Sequence, residues 1–300
     1  MSTITISVNP IAGRGLAVAM AQELHDRLQS GGDRAVVFSD APDQIPADAV
    51  AESDILIVVG GDGTLRAVLG RFLQFRNPPP PVLPVPLGTA NLMAKTLGID
   101  WTRAQLMDGI LASLRKPRIR LLDAAGANGE LFLLMAGIGI DAMIVHDLHR
   151  QRTGPIHRGY YLLPAARALA EYPFTPLTVR VDEKLLLEST PAMVFIANIS
   201  QHGVGFPILP DAIPDDGLLD VCVIPMRSTL QTIDRFLAAA AGELLAGENV
   251  LNVRGRDIQI ESAAPVPVQL DGDPGGYTPV RIKLLPMRLP FILPAEMRRD

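Results

Sequence analysis

The sequence predicts an N-terminal doubly wound α/β domain followed by a C-terminal, mainly antiparallel β-sandwich domain. Up to about residue 117, apolar strand candidates are each followed by a turn and a helix candidate, which is typical of a parallel sheet covered on both faces. From about residue 118 to 289, short strand candidates follow one another between turn residues, which indicates antiparallel pairing. A length of 300 residues, 48% of them hydrophobic, provides for two such cores.

The first domain, residues 1–117, is predicted from β-branched or apolar runs that alternate with helical patterns. One run, Asp54–Val59, is almost purely apolar, as expected of a strand buried on both faces. Four prolines, Pro78–Pro81, form a stiff connector before the last of these strands. The predicted strands are Thr3–Val8, Arg34–Phe38, Asp54–Val59 and Val82–Pro86, and the predicted helices are Leu16–Gln29, Leu65–Phe75 and a short one ending at Leu97.

The second domain, residues 118–289, is predicted from short strands and two interrupting helices. The strand spacing favours a sandwich of antiparallel sheets. The predicted strands are Arg118–Asp123, Leu131–Met135, Leu177–Val181, Met193–Asn198, Leu218–Ile224, Asp257–Glu261, Val266–Leu270 and Arg281–Leu285, and the predicted helices are Tyr160–Glu171 and Thr229–Ala246.

Composition excludes several classes of function. A formal net charge of −5 argues against a general electrostatic hold on nucleic acid, so we expect no nucleic-acid partner. A single cysteine, Cys222, excludes an internal disulfide framework, a cysteine-rich zinc site and an iron–sulfur cluster. The first residues show no secretory signal, and no apolar stretch reaches 18 residues, so we expect a cytoplasmic protein without a membrane-spanning helix.

The pentapeptide Gly60–Thr64 carries the strongest chemical signal. Its three glycines let the backbone approach a ligand closely, and the following helix points its free N–H groups at that ligand, which suits phosphate. Asp62 would repel a bare phosphate, but it fits if Mg²⁺ bridges the two or if Asp62 orients the hydroxyl that is phosphorylated. The alternative is a tight turn in which Asp62 is only the helix N-cap.

Two further glycine loops occur at the same predicted sheet edge. Asn9–Gly15 and Pro86–Asn91 each follow a strand and precede a helix, as Gly60–Thr64 does. None of the three is a Walker A loop or a Rossmann G-x-G-x-x-G loop. Three such turns at one edge predict a shared pocket for the phosphates of a nucleotide.

The three loops read N-P-x-A-G-x-G, G-G-D-G-T and P-L-G-T-A-N, and in that order they resemble the diacylglycerol kinase catalytic-domain family. This family includes bacterial lipid kinases and the sphingosine and ceramide kinases. Ala136–Ala142, Pro210–Asp220 and Gln269–Pro274 also look like family segments, as does Asn198–Phe206. The resemblance implies an ATP- and Mg²⁺-dependent kinase that phosphorylates a free hydroxyl of a lipid such as diacylglycerol. Because the sequence shows no signal, no spanning helix and a net charge of −5, we expect only weak, peripheral contact at the inner membrane surface.

The same resemblance implies a domain division and a set of binding residues. The first domain would bind the nucleotide, the second would bind the lipid, and residues from about 290 to 300 would return to the first. The implied nucleotide contacts are Asn9, Pro10, Ala12, Gly13, Ser39, Gly60, Gly61, Asp62, Gly63, Thr64, Leu65, Arg66 and Thr89. Arg14 or Lys95 would neutralise phosphate charge, and the sequence does not decide between them.

Catalytic and metal-binding residues are implied in the second domain as well. Asp273 matches the catalytic acid of the family and would act with Asp62, although glutamate is usual at this position. Asp271 is a second candidate for the general base. In the alternative interpretation, Asp271 only caps the turn at Gly272. Asp216 and the carbonyl oxygen of Leu218 would hold a structural Mg²⁺, but Ile213 stands where family members often supply another ligand.

Several alternatives remain open at this stage. An NAD kinase would share G-G-D-G-T, although no Asn-Glu dipeptide, usual in that family, occurs here. A non-catalytic nucleotide- or lipid-binding protein would explain the altered residues at Asp273 and Ile213. Asp123 either joins Asp62 near the γ-phosphate or caps a turn, and the basic segment Arg150–Arg158 either meets anionic headgroups or is an ordinary solvated loop.

Overall fold

A computed structural model of the chain describes residues 1–41, 45–46, 50, 52–71, 79–151, 167–168, 170–200, 208–240 and 249–295, without the side chains of residues 14 and 236–240. The chain separates into two compact units. The first is Met1–Leu122 together with the chain from Met287, and the second is Asp123–Pro286.

The first unit is built on a six-stranded sheet. Its strands are β1 (Thr3–Val8), β2 (Arg34–Phe38), β3 (Ile55–Gly60), β4 (Val82–Pro86), β5 (Arg118–Leu122) and β17 (Leu289–Leu293). The order is β2-β1-β3-β4-β17-β5, and all neighbours are parallel except β5, which is antiparallel to β17. Every residue of β3 is buried, as its apolar sequence predicts.

The described residues of this unit include four α-helices: α1 (Ala17–Ser30), α2 (Asp62–Gly70), α3 (Leu92–Thr96) and α4 (Leu106–Arg115). Helix α1 buries Ala17, Ala21, Leu24 and Leu28, spaced three to four residues apart on one face. Helix α4 has no counterpart in the sequence-based prediction, although Leu106 and Ile110 show the same spacing. The α/β class of this unit is therefore confirmed, with one helix missed.

One strand lies in a different sheet from the one expected. The spacing of strand candidates assigns Arg118–Asp123 to the second domain, whereas β5 pairs with β17 in the sheet of the first unit. Strand β5 lies at the edge of that sheet, and its residues Ile119 and Leu121 are half exposed. In the sequence, its alternation of arginine with apolar residues is also the pattern of a one-sided antiparallel strand. Its partner arrives from the far end of the chain, which local spacing does not reveal.

The second unit is an antiparallel sandwich. One layer contains β6 (Ala125–Ala127), β7 (Glu130–Phe132), β9 (Pro176–Val181), β13 (Asp257–Ser262) and β16 (Val280–Leu284). The other contains β8 (Met135–Ile138), β11 (Leu219–Pro225), β12 (Leu251–Gly255), β14 (Pro267–Leu270) and β15 (Asp273–Tyr277).

A single long strand, β10 (Lys184–Ala197), joins the two layers. Its first half pairs with β9, and its second half pairs with β8 and β11. The buried cluster between the layers takes apolar residues from both, among them Val179, Val194 and Ile260. The sandwich prediction is confirmed, because alternating apolar residues along these strands fill one shared core.

Helix α5 (Ile140–Arg150) covers the outer face of the layer that carries β8 and β14. Its residues Ile140, Ile144 and Leu148 pack with Phe195 and Cys222 from the strands beneath. Burial raises the pKa of the Cys222 thiol to about 12, so this cysteine belongs to the core rather than to reactive chemistry. The sequence-based prediction did not include this helix.

Some predicted features fall wholly or partly outside the described residues. These are the end of the predicted helix Leu65–Phe75, most of Tyr160–Glu171, the end of Thr229–Ala246, residues 201–206 and residues 296–300. The described part of Thr229–Ala246 forms helix α6 (Thr229–Ala240). Among the helices of the described residues, none has both the length and the apolar character needed to cross a bilayer.

Candidate active site

The three glycine loops meet at the carboxyl edge of the first unit's sheet. The Asn9 side chain donates from Nδ2 to the hydroxyl of Thr64 over 3.0 Å, which joins the loop after β1 to helix α2. The Gly13 N–H donates to the carbonyl oxygen of Leu87 over 3.1 Å, which joins the loops after β1 and β4. The predicted placement of all three loops at one edge is confirmed.

The Asp62 carboxylate connects the loop after β3 to helix α3, which follows the loop after β4. Its Oδ2 accepts the N–H of Leu92 over 2.9 Å, and its Oδ1 accepts the N–H of Met93 over 3.0 Å. These are free amides at the start of helix α3, so the carboxylate caps a neighbouring helix. The alternative in which Asp62 caps its own helix is wrong, because Gly61 occupies that N-cap and Asp62 lies in the first turn.

Two glycines allow the loops after β3 and β4 to touch. A Cβ atom on Gly88 would lie 2.5 Å from the Cα of Gly61 and 2.7 Å from Oδ1 of Asn91. The loop of Gly88 is held by Asn91, whose Oδ1 accepts the Gly88 N–H and whose Nδ2 donates to the Gly88 carbonyl oxygen. The glycines predict that backbone segments approach each other closely, and the loops after β3 and β4 do so at Gly61 and Gly88.

The predicted nucleotide residues differ in accessibility. Leu65 is only 2% exposed, and its N–H donates to the carbonyl oxygen of Gly61, so Leu65 packs the helix and its assignment to the nucleotide is not supported. Asn9, Ala12, Gly13, Gly61, Asp62, Thr64 and Arg66 are partly accessible, Gly60 is buried, and Pro10, Ser39, Gly63 and Thr89 are exposed. Lys95 is exposed in the last turn of helix α3, and the side chain of Arg14 lies outside what the structure describes.

In the second unit, Asp273 begins strand β15 directly after a two-residue turn. The turn residues Asp271 and Gly272 have φ angles of 53° and 86°, which is the backbone that an Asp-Gly hairpin favours. The Asp271 carboxylate accepts three backbone N–H groups, from Leu133, Leu134 and Met135, over 2.8–3.0 Å. Asp271 is therefore a structural residue of the turn, which favours Asp273 as the acid.

A buried glutamine supports the same turn and was missed by sequence reasoning. Gln269 accepts the Gly272 N–H through Oε1 over 2.9 Å and donates from Nε2 to Oδ2 of Asp141 over 3.2 Å. A Cβ on Gly137 would lie 2.5 Å from the same Asp141 oxygen, so only glycine leaves room for this contact. The segments 136–142 and 269–274 therefore meet at this hydrogen bond.

The residues implied for a structural Mg²⁺ do not fit one. Oδ1 of Asp216 accepts the N–H of Leu218 over 3.0 Å, and Oδ2 accepts Nη2 of Arg254 over 2.7 Å. Mg²⁺ requires a near-octahedral set of oxygen ligands and is repelled by a neighbouring cation, whereas this carboxylate already pairs with a guanidinium and Ile213 contributes no oxygen. Within the described ranges, no group of three or more His, Cys, Asp or Glu side chains is arranged to hold a metal.

The Asp123 side chain contacts the turn formed by residues 214–218 of the second unit. Its Oδ2 accepts the N–H of Gly217 over 2.7 Å, and its own N–H donates to the carbonyl oxygen of Pro214 over the same distance. Asn198 donates to the Asp123 carbonyl oxygen from a buried position. The turn-cap interpretation of Asp123 is therefore supported by contacts, whereas its link to Asp62 stays a prediction.

The basic segment Arg150–Arg158 is described only in part. Arg150 ends helix α5 and pairs with Asp147 one turn earlier, while residues 152–158 lie outside the described residues. His202 lies outside them as well. Contact of this segment with anionic headgroups stays a prediction.

Comparison with known proteins places both units in one family. Residues 3–123 match the diacylglycerol kinase catalytic domain, and residues 135–293 match the YegS C-terminal NAD kinase beta sandwich-like domain. The chain belongs to the diacylglycerol kinase and YegS-like lipid kinase family. Its predicted class, a lipid kinase and thus a phosphotransferase, is confirmed at the level of this family.

Similarity to individual family members extends over nearly the whole chain. A diacylglycerol kinase of Bacillus subtilis is 25% identical and covers 99% of this chain and 98% of its own length. A diacylglycerol kinase of Mycobacterium tuberculosis is 27% identical, covering 97% of this chain and 95% of its own. A diacylglycerol kinase structure from Bacillus anthracis has a TM-score of 0.73 at 23% identity, covers 97% of both chains and supports the fold.

Proposed function

We propose that this protein transfers the γ-phosphoryl group of ATP to a free hydroxyl of a lipid such as diacylglycerol. The observation that carries the proposal is the set of three hydrogen-bonded glycine loops at the carboxyl edge of a parallel sheet, in a chain of the lipid kinase family. Phosphoryl transfer mainly requires that the reacting groups are positioned and that the phosphate charge is neutralised. Glycine loops of this kind contribute to both through their backbone N–H groups.

Asp62 is proposed to serve the phosphates as well as the loops. Each carboxylate oxygen accepts one amide N–H, and an ionised carboxylate offers about four acceptor sites. The remaining sites are suited to the Mg²⁺ that accompanies ATP, or to one of its bound waters. That ion would neutralise phosphate charge, and Asp62 would orient it within the glycine loop.

Asp273 is proposed as the general base. It would take the proton of the lipid hydroxyl while the hydroxyl oxygen bonds to the γ-phosphorus and the bond from phosphorus to the ADP oxygen breaks. Asp271 is committed to three backbone N–H groups, and Asp273 lies two residues away on the same hairpin. The support from Gln269 to this turn would keep the acid in place.

A substrate panel tests the proposal directly. We expect the purified protein to transfer label from γ-labelled ATP with Mg²⁺ to diacylglycerol or another hydroxyl-bearing lipid in mixed micelles, and not to NAD. A matched lipid whose hydroxyl is blocked as an ether is the negative control. Label on NAD would favour the NAD kinase alternative, and nucleotide binding without transfer to any acceptor would favour a non-catalytic protein.

The close approach of Gly61 and Gly88 gives a prediction about nucleotide binding. We expect Gly88→Ala to weaken ATP binding and to destabilise the first unit by about 1–3 kcal/mol, because the added methyl forces two backbone loops apart. Titration with a fluorescent ATP analogue and thermal unfolding measure the two effects. Gly126→Ala is the control, because its new Cβ lies 3.6 Å from the nearest side-chain atom, and we expect it to bind ATP normally. Equal ATP binding in the Gly88→Ala and Gly126→Ala variants would contradict the proposal.

Contact with the membrane is proposed to be peripheral. A net charge of −5 gives the chain no general attraction to anionic lipid, so the lipid substrate or a local basic segment would supply the contact. We therefore propose a cytoplasmic enzyme that meets its substrate at the inner membrane surface.

A further inference from the structure

Arg254 pairs with two acidic side chains at or beside one turn of the second unit, residues 214–218. Arg254 donates from Nη2 to Oδ2 of Asp216 over 2.7 Å and from Nε to Oδ1 of Asp220 over 3.1 Å. Asp220 on β11 and Arg254 on β12 are directly opposite in the antiparallel register. The guanidinium is thus positioned by the strand pairing and bridges the strand to the turn.

Arg254 supplies the positive charge that pairs with the carboxylates of Asp216 and Asp220. Asp220 is 9% exposed, and burial raises the pKa of its carboxyl, with further raising by the nearby charges of Asp216 and Asp211. Arg254 lowers that pKa, and Asp220 in turn raises the pKa of the guanidinium. Its second oxygen, Oδ2, is buried without a hydrogen-bond partner among the described residues, so the pairing with Arg254 carries most of the compensation.

The contacts of the turn extend to other buried groups. The N–H of Gly217 donates to the carboxylate of Asp123, and the carbonyl oxygen of Gly217 accepts Nε of Arg256. Two arginines that flank Gly255 therefore hold the turn from one side, and Asp123 holds it from the other. Stabilisation of the turn fixes the buried position of Asp123 as well.

We propose that the Arg254 guanidinium takes the place of a divalent cation in holding the 214–218 turn, so that the second unit is stable without a bound metal. A cation bridging this turn would need the Asp216 carboxylate and further oxygen ligands, but Arg254 occupies that carboxylate and Ile213, 46% exposed, offers none. The planar fork of arginine suits this task, because two of its N–H groups reach two carboxylates at once.

This inference concerns the fold of the second unit and does not depend on the proposed lipid acceptor. Its test therefore uses thermal unfolding of the full chain without nucleotide, in EDTA and in MgCl₂ at matched ionic strength. We expect the same Tm for the wild type in both. We expect Arg254→Met to lower the Tm by several degrees in EDTA and to regain part of the loss in MgCl₂, since Asp216 and Asp220 then lose the guanidinium that pairs with both.

A matched control separates this role from that of an ordinary ion pair. Arg281 also makes two hydrogen bonds to an acid, Asp257, in the same unit, and Lys283 pairs with the same carboxylate. We expect Arg281→Met to lower the Tm less than Arg254→Met and to show no response to MgCl₂, as exposed ion pairs contribute little. Adding Asp216→Asn to Arg254→Met is expected to remove the response to MgCl₂.

Three results would overturn the proposal. A rise in the wild-type Tm with MgCl₂ that Asp216→Asn abolishes would show a metal in the turn. Equal Tm losses in Arg254→Met and Arg281→Met would show an ordinary surface pair, and so would an Arg254→Met that does not respond to MgCl₂. If Arg254→Met does not fold, Arg254→Gln replaces it and is read in the same way: a Tm loss that MgCl₂ partly restores supports the proposal, and a loss that does not respond to MgCl₂ contradicts it.

Discussion

Asp273→Asn is expected to lower turnover by about 10²–10⁴-fold, because an amide cannot take the proton of the lipid hydroxyl. Nucleotide binding should remain, since the glycine loops belong to the first unit. The backbone pairing of Asp273 with Leu270 does not involve the carboxylate, so asparagine should preserve the start of β15. Steady-state kinetics with diacylglycerol micelles, a titration with an ATP analogue and thermal unfolding measure the three quantities.

Asp271→Asn is the matched control, two residues away and with the same chemical change. Its carboxylate accepts three backbone N–H groups, and an amide with one oxygen leaves at least one of them unpaired or facing a donor. We expect a loss of about 1–3 kcal/mol in the free energy of unfolding. Full activity in Asp273→Asn, together with an inactive but normally stable Asp271→Asn, would assign the base to Asp271.

Lengthening the acid at position 273 distinguishes an adapted site from an unadapted one. Aspartate holds its carboxylate about 1.5 Å closer to the backbone than glutamate does, which is one carbon–carbon bond. A displacement of this size can cost on the order of 10²-fold in rate. A faster Asp273→Glu would mean that the present site is not adapted to the shorter acid, and a slower one would mean that the surrounding residues compensate for it.

Local sequence patterns were sufficient for the two fold classes and for the placement of the glycine loops. The bounds of Thr3–Val8, Arg34–Phe38 and Val82–Pro86 agree with the structure, because apolar runs bounded by turn residues have few alternatives. The same reasoning predicted a strand at Arg118–Asp123 but assigned it to the second domain, because its partner in the first unit's sheet lies about 170 residues along the chain. It also merged two successive short strands, Glu130–Phe132 and Met135–Ile138, into one.

The site residues show the same division between local and long-range information. The Asp-Gly turn before Asp273 is visible in the sequence, but the three amides that occupy Asp271 come from residues about 137 positions away. Arg254 carries no motif of its own, and its role appears only once the β11–β12 register sets it opposite Asp220. The resemblance implied a cation at Asp216, and the structure pairs this carboxylate with Arg254.

Asp62→Asn is expected to lower both turnover, by on the order of 10²-fold, and stability, by about 1–3 kcal/mol. The sequence alone predicts a lower turnover with an intact fold, but the structure adds a cost. Asparagine keeps one acceptor oxygen, which can accept the N–H of only one of Leu92 and Met93 in the present geometry. The NH₂ group of asparagine then faces the N–H of the second residue, and two donors oppose each other. Turnover must therefore be measured with saturating ATP and Mg²⁺, well below the Tm of the variant.

Asn91→Gly is the comparison that separates chemistry from loop stability in Asp62→Asn. It removes the two hydrogen bonds that hold the Gly88 loop but keeps the Asp62 carboxylate, and glycine tolerates the φ of 50° found at residue 91. If the carboxylate acts on the phosphates, Asp62→Asn will lose far more turnover than Asn91→Gly at a similar loss of Tm, and its requirement for Mg²⁺ will rise. Turnover that falls equally in both variants would mean that Asp62 acts only by joining the two loops.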